Sequence, residues 1–161
     1  PKEVAAATAA AETLDPGDDS IGAVNLRAMV MSHRDWIRTN TKREKLRRAW
    51  DTFFQDWDIL VCPQMATSAF PHDHRPFAER TMMVDQSVQP YFQQIFWAGM
   101  IVNAYLPSTV FPTGLSSSGL PIGLQAVSGP YRDHRTIEFA RQITQYIGGF
   151  EPPKNLAELK N

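Results

Sequence analysis

At 161 residues the chain is long enough for one hydrophobic core, so it reads as a single domain or as part of a larger one. Its 43% hydrophobic and 20% charged residues are ordinary for a globular protein, and a formal net charge of −1 excludes binding nucleic acid through bulk electrostatics. Cys62 is the only cysteine, which excludes an intramolecular disulfide framework and fits a reducing, cytoplasmic compartment; no apolar run approaches the ~20 residues needed to cross a bilayer. No secretory signal is recognisable, and a start at Pro1 without methionine fits a processed or cut piece better than an intact gene product.

Residues 4–11 are mostly alanine and predict a helix on propensity alone. Asp15-Pro16-Gly17-Asp18-Asp19-Ser20 is a turn cluster that ends it. From Ala23 to Trp57 neither proline nor glycine intervenes, and the charges suit one long helix or two joined ones. Its second half sets Leu46, Trp50, Phe53, Phe54 and Trp57 on a wide apolar stripe of helical period, opposite Arg43, Glu44, Lys45, Arg47 and Arg48. Asp58-Ile59-Leu60-Val61-Cys62-Pro63 reads as a strand buried on both faces, in the manner of a parallel strand that need not alternate. Residues 64–90 show no period and contain Pro71, Pro76 and Pro90, which predicts a long loop of the kind that often carries function.

Residues 90–105 are apolar nearly all round, as expected of a helix buried between other elements. Residues 106–114 predict a strand interrupted by Pro107 and Pro112, followed by the turn Ser116-Ser117-Ser118-Gly119 and a second strand over 122–127. Asp133 is placed to cap a last helix with Ile137, Ala140, Ile143 and Ile147 on one face, stopped by Gly148-Gly149. The tail from Glu151-Pro152-Pro153 onward is expected at the surface. Strands alternating with helices indicate an α/β architecture, and three short strands look like one flank of a larger sheet. The chain accordingly divides into an N-terminal Ala-rich helix and turn over 1–22 and the C-terminal part of a single α/β domain over 23–161.

The residues with chemical potential each have a plain structural reading. His72-Asp73-His74 offers two imidazoles and a carboxylate, but adjacent positions rarely give metal geometry, so a polar loop is preferred and no metal is expected. Cys62 sits in an apolar strand, where a thiol behaves as a small hydrophobe rather than a nucleophile. Seven Arg or Lys between Arg34 and Arg48 are diluted by Asp35, Glu44 and Asp51, which favours a solvated helix face over a nucleic-acid grip. Ser116 to Ser118 lie in a Gly/Ser-rich run that could offer a hydroxyl and backbone N–H donors. A serine nucleophile needs a base, however, and no lysine lies between Lys45 and Lys154, so the run reads as a turn. Tyr91 and Trp97 could line a pocket, although aromatic residues at helical spacing are more often core.

The run Leu106-Pro107-Ser108-Thr109-Val110-Phe111-Pro112-Thr113-Gly114 and the motif Gly119-Leu120-Pro121-Ile122-Gly123-Leu124-Gln125 resemble the C-terminal stretch of the amidase-signature enzymes. In that family a proline-containing strand ending in Pro-x-Gly precedes Gly-Leu-Pro-x-Gly-x-Gln. The likeness continues through Gly129-Pro130, Asp133 and the helix around Ala140. Upstream, Trp50-Asp51-Thr52-Phe53-Phe54 and Asp58 to Pro63 are similar to the family's helix and its Asp-x-Leu-Leu-x-Pro-like strand. Phe70-Pro71-His72-Asp73 is similar to a bacterial subgroup of amidases and cyclic-amide hydrolases, and the resemblance spans about 32–153.

The resemblance implies the C-terminal part of a large mixed sheet covered by helices on both faces. It also implies hydrolysis of a small-molecule, non-peptide amide through a serine acyl-enzyme, with no cofactor. The family's serine nucleophile, cis serine and lysine base precede the matched region, so no catalytic residue is carried onto this chain, which alone should be inactive. The N-terminal catalytic part of the same protein is the implied partner, with Tyr91 and Trp97 as candidates for the substrate pocket. Exposed sheet flanks admit a homodimer. Two rivals stand beside this reading: an inactive binding or assembly module, and an amidotransferase component of the same family whose basic helix contacts a second protein or RNA.

Overall fold

A computed structural model of the chain describes residues 2–152. In chain order it contains α1 (Lys2–Glu12), α2 (Ile21–Met29), α3 (His33–Asp56), β1 (Leu60–Pro63), β2 (Thr81–Val84), β3 (Ser87–Pro90), α4 (Phe96–Asn103), β4 (Ser108–Leu115), β5 (Pro121–Val127) and α5 (Asp133–Ile147), with short 3-10 turns at Phe77–Glu79 and Tyr91–Ile95. These elements group into two compact units, Pro1–Leu46 with His72–Gln93, and Arg47–Pro71 with Gln94–Asn161. Of the tail expected at the surface, Glu151 and Pro152 are exposed, and everything from Pro153 lies outside the described residues.

In the first unit the Asp15 to Ser20 cluster is a tight connection held by its own side chains. Asp15 Oδ1 accepts from Gly17 N and Asp18 Oδ1 from Ser20 N, each at 2.9 Å, and the Arg27 guanidinium reaches back to the carbonyls of Asp15 and Asp18, each at 2.7 Å. The uninterrupted run after Ala23 forms two helices rather than one. The break falls just before Ser32, whose Oγ accepts from Asp35 N at 3.1 Å and donates to Asp35 Oδ2 at 2.6 Å. This reciprocal Ser-x-x-Asp arrangement satisfies an orphan helix donor and starts α3 there.

The long loop expected over residues 64–90 is wrong in its second half, where β2 and β3 form an antiparallel hairpin pairing Thr81 with Pro90 and Val84 with Ser87. Its two-residue turn, Asp85-Gln86, has both residues at positive φ, 46° and 64°. That is the twist a tight hairpin requires, reached here without the Asn-Gly or Asp-Gly pair that would announce it.

The second unit is a three-layer arrangement around a sheet ordered β1-β5-β4. Both pairings are antiparallel, setting Cys62 and Val110 opposite Gln125. The parallel, doubly buried reading of β1 is therefore corrected: it is an antiparallel edge strand whose burial alternates, with Val61 42% exposed and Cys62 buried. Because successive residues of β5 face opposite ways, Ala126 and Val127 enter different clusters. Ala126 packs with Phe111 and with Ala140 of α5. Val127 packs with Cys62, with Ile101 of α4 and with Phe54 of α3, supported by the half-buried Trp50, Phe53 and Trp97. Helices thus cover both faces of the sheet.

Two helices depart from the sequence reading. The apolar segment 90–105 becomes a 3-10 turn and the eight-residue α4, buried through Ile101 and Ala104 but open on its other side, where Phe96 is 61% and Val102 68% exposed. In α5 Asp133 is not the cap. Arg132 holds that position without a side-chain cap bond, and Asp133 is the first helical residue, where the positive end of the helix dipole favours its charge. The inward stripe is Thr136, Phe139, Ala140 and Ile143, while Ile137 is 55% exposed. The buried Thr136 hydroxyl sets this rotation, bonding Thr109 Oγ1 and the Asp133 carbonyl, each at 2.8 Å. Gly148, at φ 91°, ends the helix as expected.

Candidate functional site

β1 ends at Pro63, and the loop 64–70 that follows folds over the start of β5, enclosing a groove of about 430 Å³ against residues 121–124. Met65, Phe70, Ile122 and Leu124 give it apolar walls, Thr67 and Ser68 bring hydroxyls, and no ionisable side chain lines it. A groove of this size lies in the range of small-molecule sites, which combine apolar walls with a few polar groups.

Pro121 to Leu124 of the Gly-Leu-Pro-x-Gly-x-Gln motif line this groove. Gly123 lies so close to β4 that an added Cβ would stand 3.1 Å from the Phe111 carbonyl oxygen and 3.3 Å from Val110 Cγ1, so a side chain here would push the two strands apart by a few tenths of an ångström. Gln125 is buried; its Nε2 donates to the carbonyl of Pro63 at 2.9 Å and to that of Trp97 at 3.4 Å, and its Oε1 accepts from Ser108 Oγ at 2.8 Å. The motif is thus an arrangement of strand contact and buried hydrogen bonds, with no reactive group in it.

The hydroxyls of the neighbouring turn are likewise engaged in holding shape. Ser116 Oγ accepts from Leu120 N at 3.1 Å and pairs with Ser118 Oγ at 2.8 Å, while Gly119 N donates to the Ser116 carbonyl at 2.9 Å. Cys62 is buried, and that burial pushes its thiol pKa up, a hydrogen bond with Gln125 offsetting the shift in part. The group is therefore held as the protonated thiol at neutral pH, the opposite of what a nucleophile needs. Asp73 is gripped by Arg75, with Nη2 at 2.6 Å from Oδ2 and Nε at 3.0 Å from Oδ1, which holds its carboxyl at about 2. The rings of His72 and His74 are 5.9 Å apart, and among the described residues no group of three or more His, Cys, Asp or Glu is placed to hold a metal.

The two aromatic candidates fall in different units. Tyr91 packs edge-on against Phe77, ring centroids 5.7 Å apart, and its N–H donates to the Arg80 carbonyl at 3.0 Å, just beyond the hairpin. Trp97 is half-buried in the first turn of α4 against the Phe54 and Val127 cluster, edge-on to Phe96 at 5.5 Å. Sequence reasoning missed Gln125 as a structural node. The signal was present, since a glutamine flanked by apolar residues in a buried strand must find partners for its amide.

A sequence model described as Amidase matches residues 2–137, which extends the similarity well before the stretch recognised from motifs. Indoleacetamide hydrolase of Bradyrhizobium diazoefficiens is 29% identical over 128 residues, covering 76% of this chain and 22% of the relative. A component of the glutamyl-tRNA(Gln) amidotransferase of Mesorhizobium japonicum is 30% identical over 121 residues, covering 74% of this chain and 22% of the relative. A solved amidase structure superposes with a TM-score of 0.64 at 17% identity, over 85% of this chain and 30% of that one. The chain therefore spans about a fifth of the length of the curated relatives it matches.

Proposed function

The chain belongs to the Amidase family, and from that premise we propose that it is the C-terminal portion of an enzyme hydrolysing the C–N bond of a small carboxylic amide. Residues 23–161 form part of one α/β domain in this reading, preceded by the helix and turn of 1–22. In the intact enzyme a serine hydroxyl attacks the amide carbonyl, a lysine acting through a cis serine takes its proton, and backbone donors stabilise the oxyanion. The amine leaves with a proton, and water then releases the acid from the acyl-serine. These catalytic groups lie outside this chain, which alone is inactive; the chemistry calls for no cofactor.

The observation that carries the reading is the uncharged groove between the loop 64–70 and residues 121–124. Together with Trp97 it contributes to the pocket for the acyl group, and its lining suits an apolar one; Tyr91, in the other unit, is a separate candidate. The name of the Bradyrhizobium relative, indoleacetamide hydrolase, supports the same class. A lone free cysteine supports a cytoplasmic setting, and the open edges of β1 and β4 support self-association.

The test is amide hydrolysis by this chain alone and after mixing with a matching N-terminal fragment. Activity in the mixture only is the expected result, and turnover by the chain alone overturns the placement of the catalytic groups. A second reading, a component of an amidotransferase, is favoured by the Mesorhizobium relative. Glutamine hydrolysis that depends on an acyl acceptor, with no turnover of apolar amides, would replace the first reading by the second. A binding module is disfavoured, because α4 would leave Phe96 and Val102 bare on a free-standing protein.

A further inference from the structure

Three elements of the second unit meet at Gln125, which is 3% exposed. Pro63, where β1 gives way to the groove loop, and Trp97, in the first turn of α4, both present main-chain carbonyls to its Nε2, and Ser108 of β4 donates to its Oε1. Those carbonyls stand at 2.9 Å and 3.4 Å from the one NH2 group, which also lies beside the buried Cys62 thiol. A serine or threonine in its place would have one donor and too short a reach, and a glutamate would set a carboxylate against two carbonyl oxygens. Because both acceptors are backbone, the bonds fix where the loop root and the helix run.

We infer that Gln125 is a positioning residue of the acyl pocket, tying the root of the 64–70 loop and the helix carrying Trp97 to the central strand so that these two walls keep a fixed separation. The inference rests on the reading above, in which that loop and that helix line the pocket. Gln125 does not touch the reacting atoms and acts through Pro63 and Trp97. Its effect therefore depends on acyl size: a group that reaches both walls senses their spacing, and a very small one does not. A residue that served folding alone would lower the amount of active protein and leave the ranking of substrates unchanged.

The test uses the intact enzyme with Gln125→Met, which keeps the length and removes both donors, and Gln125→Asn, which keeps the amide one methylene short and covers the case in which the first variant folds poorly. Thermolysin cleavage at the Gln64-Met65 and Ala69-Phe70 bonds should accelerate about tenfold, the equivalent of roughly one lost hydrogen bond, with cleavage inside α5 unchanged. For an amide with a bulky aromatic acyl group, kcat/KM should fall about tenfold through KM, while acetamide changes by less than about twofold. Unchanged loop cleavage, or an equal loss of kcat across acyl sizes, overturns the inference. A wild-type enzyme that turns over no amide overturns the amidase reading and the pocket assignment with it, while loop cleavage still decides whether Gln125 ties the two walls.

Discussion

The two faces of the β1-β5-β4 sheet are finished differently. On one, α5 turns Thr136, Phe139, Ala140 and Ile143 inward and shows solvent a mainly polar surface, with an Arg141 to Glu138 pair at 2.6 Å beside the exposed Ile137, Tyr146 and Ile147. On the other, α4 buries Ile101 yet presents Phe96 and Val102 outward. An amphipathic helix closes a layer; a helix that is apolar all round needs a neighbour on both sides. The difference teaches that the α5 face is the better finished of the two, and that the α4 face has the composition of an interior. It accords with the chain spanning only 22% of the length of its relatives.

The largest effect should come from the closed face. Phe111 is 3% exposed there, and Phe111→Ala should cost about 3–5 kcal/mol in urea unfolding, since it removes a ring from a packed cluster. A loss near 1 kcal/mol would mean that this face is no better packed than the open one. An intermediate effect, opposite in sign, is expected at the entry to α5. Tyr131 is 93% exposed with φ at 61°, so its ring contributes little packing to offset the cost of the left-handed backbone. Tyr131→Gly should raise stability by about 0.5 kcal/mol, the relief of strain exceeding the entropy glycine adds to the unfolded chain. A loss instead would show that the ring is held by something its exposure conceals.

The smallest effect should lie on the open face. Val102→Ser should change the stability of this chain by less than about 0.5 kcal/mol, because the side chain meets water already. A cost above about 1 kcal/mol, especially one that grows with protein concentration, would mean that a second copy covers this face. The same substitution in a longer form of the protein sharpens the comparison, since a cost there and none here would place the remainder of the protein against α4.

Legibility followed the range of the interactions involved. The Ala-rich helix, the turn at Asp15 to Ser20, the strand at 122–127 and the stop at Gly148 all rest on local chemistry and were readable in order. The hairpin at 81–90 was not, because Asp85 and Gln86 take positive φ without glycine or asparagine to signal it. The direction of β1 was not either: an apolar run of four to six residues suits a parallel or an antiparallel strand, and only its pairing with β5 distinguishes them. At the site, the motif ending in Gln125 was visible as a pattern, but its partners Pro63, Trp97 and Ser108 are far from it in sequence.

By itself, then, the order of residues determined where the Ala-rich, basic and last helices lie, the turns at 15–20 and 116–119, and the family resemblance, since these depend on propensity and spacing within a few positions. Tertiary structure alone decided which face of α5 is buried, that the loop after Pro63 encloses a groove with residues 121–124, and that one glutamine holds the loop root and α4 to the central strand. Each of these is settled by contacts between segments distant along the chain, and a buried amide shows its purpose only once the carbonyls it must satisfy have been brought to it.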